Sequence, residues 1–284
     1  MYRAHERLMF FLWTILVLSG PVAGAPQRVV STFLCTDEYV FRLVPHDRIA
    51  ALSYEAVDRH PVVSTIADRA QHIRVIRPST ETVLALKPDL VVMYTGTNPR
   101  LHVNLRKLGI PVLDVPWANT LDDVRRVTTM LGDKLGAPDR ARALLADMDR
   151  KIGQTKARAP RPPVGAILYE PQGYATVQGI TEEVMQIAGI ANAAPPHALT
   201  RTGQLPVEAV IAAAPELLIL GGEARSGSGR AYAVLHHPAL TSLEGRTTIE
   251  FANLTPLLCP GPWSLDSAQT LGDLARKARR LHRQ

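Results

Sequence analysis

Cysteine is scarce. Only Cys35 and Cys259 occur in 284 residues, and two distant cysteines make no zinc framework. Aromatic residues are only 5% of the chain. Charge is modest at 20%, with a net charge of +6. The densest basic stretch, Arg276-Lys277-Ala278-Arg279-Arg280, rides on a helical pattern. It reads as a solvated helix end, so nucleic acid is not an expected partner. His-Glu-x-x-His, the phosphate loop, Gly-x-Gly-x-x-Gly and Gly-x-Ser-x-Gly are all missing, so no catalytic residue, resident metal or cofactor is expected. Beyond the N-terminus no apolar run approaches membrane-spanning length.

What is present starts at the N-terminus. Arg3 and Arg7 precede the apolar run Leu8 to Leu18, and small residues follow at Val22-Ala23-Gly24-Ala25. This is the layout of a cleavable secretory signal over 1–25, cut after Gly24 or Ala25. Export to the periplasm follows as an expectation.

The remaining length suits two lobes, each with its own core. Strand patterns over Arg28–Leu34, Ile49–Leu52, Leu90–Met93 and Val112–Val115 alternate with helical ones. A second series holds Gly165–Tyr169, Leu217–Leu220 and Thr248–Phe251, before a C-terminal helix over Ser264–His282. Such alternation predicts two α/β lobes with mostly parallel sheets, over 26–118 and 159–284. Between them, 119–158 carries no strand. It reads as one interlobe helix of about 55 Å, or as two helices meeting at Gly136-Ala137-Pro138.

The chain also echoes itself. Residues 81–93 (ETVLALKPDLVVM) and 208–220 (EAVIAAAPELLIL) share Glu-x-Val-x-Ala-x-x-Pro-acid-Leu. Each copy predicts a short helix with an acid in its first turn, Val and Ala towards the core, a proline stop and a buried strand.

Taken with this echo, the chain resembles the periplasmic substrate-binding proteins of ABC importers for ferric siderophores, haem and cobalamin. The resemblance runs over roughly 28–281. It rests on Arg28-Val29-Val30-Ser31, Asp47 to Leu52, Leu84 to Val92, Ile187 to Asn192 and Pro260-Gly261-Pro262, with Leu-Lys-Pro-Asp-Leu as its most specific part. It implies two α/β lobes joined by a long rigid helix, modest lobe motion, and a monomer that carries a bulky metal chelate or corrinoid to an ABC importer permease in the inner membrane. It further implies that Glu81 and Glu208, matching the family's surface glutamates, dock onto permease arginines. The acidic Cys35-Thr36-Asp37-Glu38 run departs from the small residues usual there, which leaves the solute class open.

Ligands of parallel α/β sheets gather where strands end. The residues placed there are Cys35, Thr36, Tyr54, Tyr94, Trp117, Tyr174, Arg225 and Trp263. Five of the chain's few aromatics fall among them, and ring faces suit a large, partly apolar ligand. Arg225 is placed to pair with an anionic group. For Cys35 and Cys259 three readings stand: a disulfide across the lobes, two buried thiols, or ligand contact. Two other functions are weighed: an exported hydrolase acting through Asp37 or Glu55, and a carrier of bare transition-metal ions using scattered histidines such as His46, His60 and His72.

Overall fold

A computed structural model describes residues 24–59, 63–221 and 230–282. The expected signal segment up to residue 23, His60 and Arg225 lie outside them. No helix among the described residues is long and apolar enough to cross a membrane.

Among the described residues the first lobe has five strands: β1 (Val29–Ser31), β2 (Ile49–Ser53), β3 (Val75–Ile76), β4 (Leu90–Tyr94) and β5 (Val112–Val115). They lie in the order β3-β2-β1-β4-β5, every pair parallel. Its helices are α1 (Leu34–Leu43), α2 (Thr80–Ala85) and α3 (Pro99–Lys107). The stretch α4 (Leu121–Lys134) and α5 (Pro138–Arg158) leads to the second lobe. There β6 (Val164–Tyr169), β7 (Ile190–Asn192), β8 (Leu217–Gly221) and β9 (Thr248–Ala252) form a parallel sheet in the order β7-β6-β8-β9. Its helices are α6 (Ile180–Ile187), α7 (Val207–Ala213), the one-turn α8 (Thr255–Leu258) and α9 (Asp266–Leu281).

The second sheet is the first without its outer strand: β6, β7, β8 and β9 occupy the places of β1, β2, β4 and β5. The sequence echo falls on equivalent elements, α2 into β4 and α7 into β8. Both helices end on a left-handed residue directly before the proline, Lys87 (φ 47°) and Ala214 (φ 39°). Proline then bars further helix, and the strand begins at Leu90 or Leu217. The acid after each proline receives a backbone N–H from the neighbouring central strand or its approach. Asp89 accepts from Gln27 and Arg28 at 2.6 and 2.9 Å, and Glu216 accepts from Gly165 at 3.1 Å. One expectation is corrected. Val83 and Val210 are buried, but Ala85 and Ala212 are exposed, because they sit on the helix face that carries Glu81 and Glu208.

Strand alternation explains the cores. In the first sheet, Val29, Val92 and Tyr94 face one core while Val30, Val91 and Met93 face another, covered by Val83, Leu101 and Leu105. In the second, Leu217 and Ile219 face that same first core, and Leu218 and Leu220 face a third, covered by Val207 and Val210. The shared core runs from Tyr39 and Leu43 through Leu131 and Met148 to Val184, Trp263 and Leu271. The lobes are therefore joined by packing as well as by chain.

The stretch over 119–158 forms two helices. Gly136 takes φ 66°, which favours glycine, and Pro138 opens α5. A Cβ on Gly132 would lie 2.4 Å from Ala141 Cβ, so glycine lets α4 and α5 approach closely there. The bridging falls to α5, whose 21 residues span about 31 Å. Near its start Arg140 donates to the Leu43 carbonyl at 3.2 Å. At its far end the Arg158 carbonyl accepts from Arg276 at 3.3 Å.

Candidate functional site

The carboxyl ends of the two sheets are brought to one another by contacts just past the strands. Cys35, beyond β1, and Cys259, beyond β9, form a disulfide with Cα atoms 4.9 Å apart. Leu121, beyond β5, donates its N–H to Glu183 of α6 at 2.8 Å. A Cβ on Gly179 would stand 3.5 Å from the Asn119 carbonyl.

On the first lobe an aromatic cluster occupies this edge. Phe33, Tyr94 and Trp117 follow or end β1, β4 and β5. The Tyr94 and Trp117 ring centroids are 4.2 Å apart, and Phe33 meets them edge-on at 5.8 and 6.2 Å. Tyr94 is buried beneath, and burial pushes its hydroxyl up to about 12. Trp117 remains 48% exposed, its indole N–H donating to the Thr95 carbonyl at 3.2 Å. Tyr54 follows β2 and carries the Arg77 guanidinium over its ring at 4.0 Å. Every strand of the first sheet thus ends on a large aromatic or a cation.

The second lobe differs. After β6 comes Glu170, half-buried, its carboxyl raised above the usual range by desolvation. Gln172 and Gly173, at φ 63° and 83°, then make a tight turn. The turn returns Tyr174 so that its carbonyl accepts from the Glu170 N–H at 2.8 Å, and leaves its side chain 38% exposed. Leu258, before Cys259, is also exposed.

Three expected ligand residues are elsewhere. Cys35 is bonded to Cys259 and buried, so it offers no free thiol. Thr36 is buried, sharing a 2.8 Å hydrogen bond with Ser31 and donating to the Phe33 carbonyl. Trp263 is buried against Tyr39, with ring centroids 4.7 Å apart, and beneath the Arg42 guanidinium at 4.2 Å. Cys35 and Trp263 belong to the junction between the lobes, and Thr36 ties the β1–α1 turn of the first lobe. Tyr54, Tyr94, Trp117 and Tyr174 stay at the strand ends. Two residues were not anticipated. Phe33 lay inside an overlong expected strand, whereas β1 stops at Ser31. Arg77 follows a two-residue strand, too short for any periodic pattern.

The acids weighed for hydrolysis are differently placed. Asp37 is buried, accepting from the Ser53 N–H and hydroxyl at 3.1 and 2.5 Å. Burial raises it to about 8, partly offset by hydrogen bonds from Ser31 and Ser53. Its carboxyl is thus enclosed and already engaged by Ser53, whereas Glu55 is half-buried. Among the described histidines, His46 and His72 hydrogen-bond each other at 3.2 Å. No group of three or more potential metal ligands occurs among the described residues.

Glu81 and Glu208 are both exposed, each the second residue of its helix. Hydrogen bonds from its own backbone N–H and the Ser79 hydroxyl hold the Glu81 carboxylate below the usual range, and Arg100 acts in the same direction. Since α2 and α7 cover the outer faces of matching strands, the two carboxylates hold equivalent stations on the two lobes.

Two parallel sheets of one topology, packed on a common core, define a two-lobed binding-protein architecture. The family model described as "Periplasmic binding protein" matches residues 42–245, and the chain belongs to that family. A vitamin B12-binding protein of Pectobacterium carotovorum subsp. carotovorum (strain PC1) is 27% identical over 149 residues, 52% of each chain. The iron(3+)-hydroxamate-binding protein YxeB of Bacillus subtilis (strain 168) is 34% identical over 80 residues, 28% of this chain and 23% of the relative. The matches thus span about half, or less, of the length of these curated relatives. Among solved structures, the periplasmic heme-binding protein RhuT from Roseiflexus sp. RS-1 in apo form has a TM-score of 0.66 at 22% identity, covering 91% of this chain and 99% of the other.

Proposed function

We propose that this chain is an exported, monomeric solute-binding protein that takes up a metal chelate or corrinoid between its lobes and presents it to an ABC importer permease. The observation that carries the reading is the exposure of Trp117 and Tyr174, one from each lobe, at the carboxyl ends of the two sheets. Large side chains with apolar faces are more often buried, and ligands of parallel sheets gather at the strand ends where these two stand exposed. The relatives named for vitamin B12, ferric hydroxamate and heme support a bulky solute. Phe33, Tyr54, Tyr94, Trp117 and Tyr174 would supply the contacts, and Arg225 is retained as an anion partner. Glu81 and Glu208 would steer the loaded protein onto a basic permease surface. The segment 1–25 would be the signal removed on export. The task is capture and release, without turnover.

The test is titration of the mature protein with cyanocobalamin, a ferric hydroxamate and haemin, followed by Trp fluorescence and by mass spectrometry of the recovered solute. Stoichiometric binding of one, recovered unchanged, is the expected result. Chemical conversion of a bound solute would overturn the reading.

A further inference from the structure

The first sheet brings two imidazoles together at its other end, where the chain enters β2 and β3. His46 stands three residues before β2, and His72 three residues before β3. The two strands pair in parallel through Leu52–Val75 and Ser53–Ile76, so their entries lie side by side. His72 Nε2 and His46 Nδ1 meet at 3.2 Å, while the ring centroids are 5.2 Å apart. The rings therefore splay outward from the nitrogens that meet. Packing fixes their placement. The His46 ring lies against Phe41 with centroids 4.5 Å apart, and Phe41 is itself buried beneath the Arg69 guanidinium at 5.3 Å. Turns hold both backbones: the Arg48 N–H donates to the Pro45 carbonyl and the Ile73 N–H to the Ala70 carbonyl, each at 2.9 Å. Both imidazoles are exposed to solvent.

We propose that His46 and His72 form a binding site for one divalent transition-metal ion, with Cu(II) held most tightly. Metal–imidazole bonds of about 2.0–2.1 Å set two nitrogens on one ion about 2.9 Å apart at a right angle and about 3.3 Å apart at the tetrahedral angle. The observed 3.2 Å falls between these values. The ring that donates the hydrogen bond needs only to carry its proton on its other nitrogen, which leaves both facing nitrogens as lone-pair donors. Among the described residues no third potential ligand completes the group, so water or a small chelator takes the remaining positions. With two imidazoles as the protein ligands, the ranking of ions runs Cu(II) above Ni(II) and Zn(II). A bound ion joins the entry of β2 to that of β3, the two-residue edge strand. The site lies at the amino ends of these strands, about 16 Å along β2 from the edge that carries Tyr54 and Arg77. It goes beyond the transport reading, and neither depends on the other.

The test is titration of the protein, free of any histidine tag, with Cu(II) alone near neutral pH. Affinity is measured by calorimetry, and the ligands are counted by electron spin-echo envelope modulation. One equivalent bound through two equatorial imidazoles is the expected result. His46→Ala and His72→Ala should each weaken the affinity at least about tenfold and leave modulation from a single imidazole. His236→Ala/His237→Ala, which removes the chain's adjacent histidines, should change neither readout. Modulation from one imidazole in the intact protein at its first equivalent overturns the proposal without any variant. Unchanged affinity in the two single variants overturns it too, as does loss of the site in His236→Ala/His237→Ala.

Discussion

The two lobes share a frame and differ in what they show at their edges. Both place a central strand between partners in the same order, and both lead into β4 or β8 by a short helix, a left-handed residue and a proline. Yet the first lobe ends its strands on Phe33, Tyr54, Arg77, Tyr94 and Trp117, whereas the second offers Glu170, Tyr174 and Leu258. The frame is backbone chemistry, so repeating the residues repeats the turn. Under the proposed function the edge would meet the solute, which need not be symmetric, so each edge would be free to diverge.

Docking through Glu81 and Glu208 tests the equivalence most severely. Charge reversal at both, Glu81→Lys/Glu208→Lys, should reduce uptake by whole cells roughly 100-fold or more while solute affinity of the purified protein stays within about twofold. Uptake by the single variants should fall by similar factors if the lobes dock as equals. A full effect from one site alone would break the comparison, and uptake that survives the double reversal would remove both residues from docking.

Asp37 is fully buried and raised to about 8, whereas the second lobe's desolvated acid, Glu170, is only half-buried. The unfolded chain releases the Asp37 proton near 3.8 and the folded protein only near 8. Folding is therefore penalised progressively as pH rises between those values, and the penalty levels off above them. Asp37→Asn keeps an acceptor for Ser53. It should raise stability at pH 8 by on the order of a few kcal/mol and have little effect at pH 4, as measured by urea unfolding across that range. An unchanged pH profile would show that Asp37 ionises without cost.

The edge difference makes a smaller prediction. Trp117→Ala should weaken binding of whichever probe the protein takes by about tenfold, and Tyr174→Ala by about threefold, following the energetics of ring contacts. Trp117→Phe should abolish most of the ligand-induced fluorescence change. Equal losses at Trp117 and Tyr174 would mean that both lobes grip the solute alike.

What was legible in the sequence follows the same division. The helix-to-strand junctions could be read because Pro88 and Pro215 act locally, on the residues beside them. Trp117 and Tyr174 could be placed because their strands, β5 and β6, are apolar and long enough to show. Cys35 and Trp263 were misplaced because their fate is decided by partners more than 200 residues away, 224 in each case. Nothing in the spacing of Cys35, Tyr39 and Arg42 names Cys259 or Trp263 as what they touch. Arg77 is hidden by the brevity of β3, and the break at Gly136-Ala137-Pro138 is legible only as one of two readings, because helical patterning runs on both sides of it.

The smallest effect concerns the echo's second acid, where the two copies carry the same task with different partners. Asp89 accepts two backbone N–H groups, those of Gln27 and Arg28. Glu216 accepts one, from Gly165, and also pairs with Arg279 at 3.4 Å. Removing an acceptor from backbone donors at a strand entry leaves them to water, since these sites are exposed or half-buried, so each loss is modest. Asp89→Ala should cost about 1–2 kcal/mol and Glu216→Ala about 0.5–1 kcal/mol, the half-buried ion pair at 3.4 Å adding little. Urea unfolding of both variants, with Arg279→Ala as reference, measures the ordering. If Glu216→Ala proves the costlier and Arg279→Ala reproduces its loss, the second copy of the echo is held by its ion pair instead of by the strand.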